Sequence, residues 1–234
     1  MTSPLYELAT IIVPMVFAIV LHEVAHGYVA RLLGDPTAWL RGRLSLNPLR
    51  HVDWFGTIVL PGMLHLAGLP VFGWAKPVPV DYTRLRRPKR DMALVGAAGP
   101  AANFVLATLS AVAIGLIARG LGPHGAPSAG LGFALDNLDN FIQFNAFLGL
   151  FNLLPLPPFD GSRIVRGAAP WPLARLLDRI EPYGLIVFFL VFVLLPQIAP
   201  SLHLVDRVLL PPVGWLIDRL TVLSALVAGV GPSV

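Results

Sequence analysis

The chain has no cysteine and little charge, and each shortage narrows the chemistry open to it. Without cysteine there are no disulfides, no thiolate metal ligands and no thiol nucleophile, so any metal would be held by nitrogen and oxygen. Charged residues make up 13% of the 234 positions, against about 25% in a soluble domain. Hydrophobic residues make up 56%, and mean hydropathy is +0.73. A composition of this kind suits a bilayer rather than water. Also missing is a basic stretch ahead of the first apolar run, residues 8–21, which argues against a cleaved signal peptide and for a first helix that stays.

What is present is a series of long uncharged runs. Residues 92–118 (27 residues), 140–159 (20) and 182–205 (24) carry no Asp, Glu, Lys or Arg. Each is long enough to cross a hydrocarbon core of about 30 Å at 1.5 Å per residue. The net charge of +4 and pI near 10.0 would suggest nucleic acid in a soluble chain. Here the basic residues cluster beside the apolar runs, so positive-inside placement is the simpler cause and no nucleic-acid partner is expected. Arg31, Arg41, Arg43, Arg50, Lys76, Arg84, Arg86, Arg87, Lys89 and Arg90 follow the first run, and Arg163, Arg166, Arg175 and Arg179 follow the third. Both groups are expected in the cytosol, with the N-terminus and the Gly/Pro-rich stretch 120–135 outside.

Residues 54–72 form a fourth apolar stretch flanked by basic residues on both sides and holding Pro61, Gly62, Gly68 and Pro70. A single crossing there would put Arg84 to Arg90 outside, so the segment is expected to be re-entrant or a hairpin. The alternating Val and Pro of 71–80 predict an extended edge strand. The tail 203–234 is apolar but broken by Pro211, Pro212, Asp218 and Arg219, which leaves it as an amphipathic or transmembrane helix. The sequence thus predicts one integral-membrane domain over 1–234, an all-α polytopic bundle of about four to six transmembrane helices with a short re-entrant or β-hairpin segment.

Directly after the first run, inside a stretch that otherwise reads as one membrane span, stand His22, Glu23 and His26. Residues four apart lie on one helix face, so both imidazoles can bind one zinc ion, while Glu23, turned by one position, can serve as general base toward the attacking water. As helix-packing glue alone, three ionisable side chains in an apolar span would be costly, which makes the cluster a functional candidate. A catalytic zinc usually has three protein ligands, and Asp160 is the best third. It follows Pro155, Pro157 and Pro158 at the cytosolic end of the third run, where the prolines must end a helix and can turn the carboxylate toward a neighbour. On local turn chemistry alone, Asp160-Gly161 also reads as a turn that caps the next helix. His51, Asp53 and His65 are expected to be ordinary boundary or solitary polar residues, and His124 and His203 solvent-side ones.

His22-Glu23-Val24-Ala25-His26-Gly27, together with the Asn-x-x-Pro-x-x-x-x-Asp-Gly pattern from Asn152 to Gly161, resembles the site-2 protease family of intramembrane zinc metalloproteases. The stretches 72–80 and 99–103 look like its internal segments, and the resemblance covers about residues 5–200. It implies one Zn2+ per chain held by His22, His26 and Asp160, Glu23 as catalytic base, and Asn152 near the site, holding the substrate backbone or the oxyanion. It also implies a plasma-membrane enzyme, of bacterial type, that hydrolyses a peptide bond in or near a transmembrane helix of a protein substrate. No PDZ insert separates the two motifs and no CBS domain follows, so the chain resembles the compact form. Asn103 has two readings. With Gly96 and Gly99 it repeats at small-residue spacing, as interhelical glue; the resemblance instead puts it on the cleft wall. The 54–80 hairpin is a candidate edge for pairing with an extended substrate. The rival class is a proteolytically inactive metal-binding scaffold or a transporter. A transporter would be expected to show paired repeats, which are not found, and a lapsed scaffold would be expected to lose Glu23, which is kept.

Overall fold

A computed structural model describes residues 3–66, 68, 73–122, 125–199, 201 and 205–231. His124, His203 and residues 69–72 lie outside them, as does the side chain of His65. The described residues are mostly helical and contain no strand. Four helices are long and apolar enough to cross a membrane: Pro4–Leu32, Pro88–Leu121, Pro172–Ile198 and Val205–Ala228. The last answers the question left by the tail in favour of a helix of spanning length.

The helices that matter for the site are α1 (Pro4–Leu32), α2 (Thr37–Leu40), α3 (Leu60–Leu66), α4 (Pro88–Leu121), α5 (Ala129–Asn152), α6 (Asp160–Ala168), α7 (Trp171–Ile180) and α8 (Leu210–Ala228). Although 24 residues long, α5 is not among the four apolar spans, because Asp136, Asn137, Asp139, Asn140, Asn145 and Asn152 lower its hydropathy. The uncharged run at 140–159 is therefore half helix and half loop. The helix stops at Asn152, just ahead of the three prolines.

Two compact units divide the chain. The first comprises Met1–Ala18, Pro100–Phe151 and Val205–Val234. Its core is small and close-packed: Ala107 and Ala111 on α4 meet Ile142 on α5 and Leu220 on α8. Small residues let helix backbones approach, which is how helices associate where lipid removes the hydrophobic drive. At Gly115 an added Cβ would stand 2.4 Å from the Ser224 carbonyl oxygen, and at Gly149 one would stand 2.7 Å from the Phe104 ring. Polar side chains in this unit find partners. Asn140 donates to the Thr10 carbonyl at 2.9 Å, and Asn103 donates to Asn145 at 2.7 Å.

The second unit comprises Ile19–Gly99 and Asn152–Leu204. Ala30, Leu85 and Val95 form its apolar nucleus, with Val29, Leu33, Val80 and Tyr82 packed around them. The fully buried Asp35 ties the loops together by accepting from the backbone N–H of Thr37 (3.0 Å) and of Asp81 (2.7 Å). Residues 54–66 are a short helical stretch, whose apolar part, Trp54–Leu64, is too short to cross a bilayer. No hairpin forms over its described residues.

The strand expected at 71–80 is corrected as well: 73–80 has no regular structure. Pro77 and Pro79 have no N–H to give to a ladder. The period-2 habit survives in the remaining donors, since Trp74 donates to the Gly56 carbonyl (3.1 Å), Lys76 to the His51 carbonyl (2.8 Å) and Val78 to the Glu23 carboxylate (2.7 Å). Three successive alternate N–H groups thus end on three different segments rather than on one strand.

Candidate metal centre

All parts of the site belong to the second unit. Helix α1 carries His22 and His26 one turn apart, both about 5% exposed or less. Their rings stand edge to face with centroids 4.7 Å apart, which brings the two Nε2 atoms to 3.1 Å. The prolines at 155, 157 and 158 end α5 and start a new helix at Asp160, whose first turn buries Asp160, Gly161 and Ser162. Phe159 anchors this corner by packing edge-on against Phe188 and Phe192. Gly161 is needed there because a Cβ would fall 2.2 Å from the Leu153 carbonyl oxygen and 2.4 Å from that of Leu154. The corner delivers Asp160 Oδ2 to 3.1 Å from both histidine Nε2 atoms.

Three donor atoms therefore form a triangle with sides of 3.1 Å. Ligands at about 2.0–2.1 Å from a tetrahedral zinc lie about 3.3 Å from one another, so the triangle is close to one face of such a shell. The proton inventory agrees. His26 Nδ1 lies 2.7 Å from the Val95 carbonyl oxygen, an acceptor only, so Nδ1 carries the proton and Nε2 presents a lone pair. Asp160 Oδ2 is buried and makes no hydrogen bond, despite its closeness to both imidazoles. Lone pairs converging in a buried place without protons between them repel unless a cation sits among them. This trio is the one His/Asp/Glu group among the described residues whose atoms come close enough to hold a metal ion.

Space for the ion comes from α4. A Cβ added at Gly99 would lie 2.4 Å from His26 Nε2 and 2.6 Å from His22 Nε2. The missing side chain thus leaves a cradle directly over the donor triangle. Sequence reasoning placed Gly99 in a packing stripe; its helical spacing carries no sign of what stands opposite.

The other candidates are spread around the unit and beyond it. Glu23, half-buried, has its Oε2 held by the Val78 N–H. Asn152 is the last residue of α5 and is half-buried. Asn103 is fully buried in the first unit, paired with Asn145 and 3.5 Å from the Ala18 carbonyl oxygen. His51 gives its Nε2 to the Ser45 carbonyl at 2.8 Å, and Asp53 caps the helical stretch after it by accepting from Gly56 N–H at 2.7 Å, so neither joins the triangle. A further residue, not singled out by any motif, is Arg163, whose Nη1 donates to Asp160 Oδ1 at 2.9 Å. In the sequence it counted only as one more cytosolic charge.

A buried group of two histidines and one carboxylate matches the donor sets found in zinc hydrolases. Known proteins similar to the chain carry that chemistry in their names. It is 40% identical over 191 residues to "Putative zinc metalloprotease YwhC" of Bacillus subtilis (strain 168), covering 81% of this chain and 83% of the relative. It is 31% identical over 223 residues to "Putative zinc metalloprotease Rip2" of Mycolicibacterium smegmatis, covering 94% of this chain and 78% of the relative. With the protein of the same name from Mycobacterium tuberculosis (strain H37Rv) it shares 32% over 180 residues, or 76% and 64% of the two chains. No family model matches the chain, and no solved structure does. The chain belongs to the zinc metalloprotease family that includes YwhC and Rip2.

Proposed function

We propose that the chain is a zinc-dependent intramembrane endopeptidase of the site-2 protease kind, in its compact form, cutting a peptide bond in or next to a transmembrane helix of its substrate. The observation that carries this reading is the buried 3.1 Å triangle of His22, His26 and Asp160, two of whose members stand on a helix long and apolar enough to cross a bilayer. His22, His26 and Asp160 hold the zinc, which when bound supplies a Lewis acid for the scissile carbonyl and for water. Glu23 takes the proton from the attacking water and returns it to the leaving amine. The Val78 N–H fixes one carboxylate oxygen of Glu23, which leaves the other for the proton. Asn152 is assigned to the substrate backbone or the oxyanion. The contact of Asn103 with Asn145 favours the helix-packing role for that residue.

The charge distribution sets the orientation. Placing both basic groups in the cytosol takes a further crossing by α5, whose 24 residues are long enough for it; the N-terminus then lies outside and α6, with Asp160 at its start, opens toward the cytosolic side of the plasma membrane. Water reaches the site from there, and a substrate helix must unwind to offer its carbonyl.

The test is cleavage of a synthetic transmembrane peptide by the purified, zinc-loaded protein and by Glu23→Gln. The variant is expected to keep its zinc and lose about 10²–10⁴-fold in rate. Equal rates would remove Glu23 from the reaction, and absence of bound zinc in the wild type would remove the protease reading itself.

A further inference from the structure

Asp160 has two oxygens, and the structure treats them differently. Oδ2 meets the two histidine Nε2 atoms at 3.1 Å, while Oδ1 accepts from Arg163 Nη1 at 2.9 Å. An i,i+3 pair between exposed side chains would deserve no comment. Here the carboxylate is 5% exposed and the arginine 33%, so the guanidinium closes the outer side of a buried ligand. The stem of Arg163 is itself held: a Cβ at Gly96 would stand 3.1 Å from Arg163 Cβ and 3.2 Å from the Asp160 carbonyl oxygen, so the α4 backbone runs hard against this part of α6.

Resting on the reading that Asp160 ligates zinc, we infer that Arg163 is a positioning residue that keeps Asp160 a one-oxygen ligand and so leaves the metal's fourth position without a protein donor. A carboxylate can bind a metal through one oxygen or both. A catalytic zinc needs three protein donors and an open position. Occupying Oδ1 with a charged donor, about twice as strong as a neutral one, fixes the plane of the carboxylate and keeps Oδ1 off the metal. A guanidinium suits the task because it stays charged and its fork has a set direction, which a lysine ammonium lacks. Partners of this sort commonly govern affinity or activity by about 10–100-fold when removed.

The experiment replaces zinc with Co2+, whose visible absorption is intense in four-coordinate sites and weak in five-coordinate ones. Wild type, Arg163→Met and Arg163→Lys are compared at one equivalent of Co2+ per chain, with peptide-cleavage kinetics of the zinc forms beside them. Arg163→Met is expected to give the weaker, five-coordinate absorption and a kcat about 10–100-fold down with KM unchanged. Arg163→Lys is expected to restore most of the four-coordinate intensity. Should the methionine variant fail to fold by circular dichroism, Arg163→Gln, which has a donor for Oδ1 but no charge, takes its place with the same readouts. Superimposable spectra from wild type and the neutral variant would overturn the inference and leave the metal site standing. A wild type that takes up no Co2+ would instead overturn the ligand assignment beneath it.

Discussion

Each unit of this protein buries a polar cluster, and the two are built on opposite principles. In the first unit Asn103 gives an amide proton to Asn145 at 2.7 Å, and Asn145 gives one to the Phe141 carbonyl at 2.7 Å. Donor meets acceptor, and the cluster is complete within the protein. In the second unit His22, His26 and Asp160 bring two imidazole nitrogens and a carboxylate oxygen to one point, and Asp160 Oδ2 makes no well-formed hydrogen bond there. Burial is similar in the two clusters, from 0% to 5% exposed, so depth does not distinguish them. Proton count does. A cluster that balances its own donors and acceptors holds helices together, whereas one that lacks donors is shaped for a cation.

The surroundings follow the same division. Small residues in the first unit bring helix to helix, as at Gly115 against Ser224. In the second unit the small residue Gly99 keeps a helix clear of the donor triangle. One helix, α4, holds both kinds of glycine.

Three substitutions probe the contrast. The largest effect is expected from Gly99→Ala, whose methyl would lie within 2.4–2.6 Å of both Nε2 atoms. Zinc content measured by mass spectrometry should drop to background and cleavage with it, while the helical circular dichroism is kept. Retention of full zinc would show that the triangle is not where the ion sits. A smaller effect is expected from Asn145→Ala, which leaves Asn103 without its amide acceptor. Unfolding in detergent should show a loss of about 0.5–2 kcal/mol with unchanged zinc content. If zinc fell instead, the separation of the two clusters by role would fail. The smallest is Gly120→Ala, on the same helix as Gly99 but facing open space. Thermal unfolding should show a change of at most about +1 kcal/mol, from helix propensity alone, with zinc and cleavage as in the wild type.

Local chemistry explains which expectations held. The triad was legible because each of its parts follows a short-range rule: i,i+4 spacing aligns His22 with His26, and prolines end α5 ahead of Asp160. Three of the four long apolar helices were legible because length and charge alone define them, while the fourth, Val205–Ala228, stayed open between an amphipathic and a transmembrane helix. The edge strand at 71–80 failed because alternating Val and Pro look extended one residue at a time. A ladder needs one neighbouring strand to accept alternate N–H groups, and those of Trp74, Lys76 and Val78 end on Gly56, His51 and Glu23 instead. The extent of α5 was misjudged in a related way, because absence of charge was read as a span and the asparagines were not weighed against it.

The sequence by itself determined that the chain is helical and apolar enough for a membrane, that two imidazoles and a glutamate share one turn, and that a carboxylate waits after a proline-broken helix. These follow from periodicity, hydropathy and the fixed geometry of proline. Only the tertiary structure decided that the three donors meet at 3.1 Å, that Gly99 clears the space above them, and that Arg163 takes one oxygen of Asp160 while the other faces the histidines. Arg163, though three positions from Asp160, takes the oxygen that the histidines leave free, while the meeting of the donors and the clearance at Gly99 join residues tens of positions apart. They depend on the angles at which separate helices and loops pack, and nothing in the neighbourhood of one residue fixes those angles.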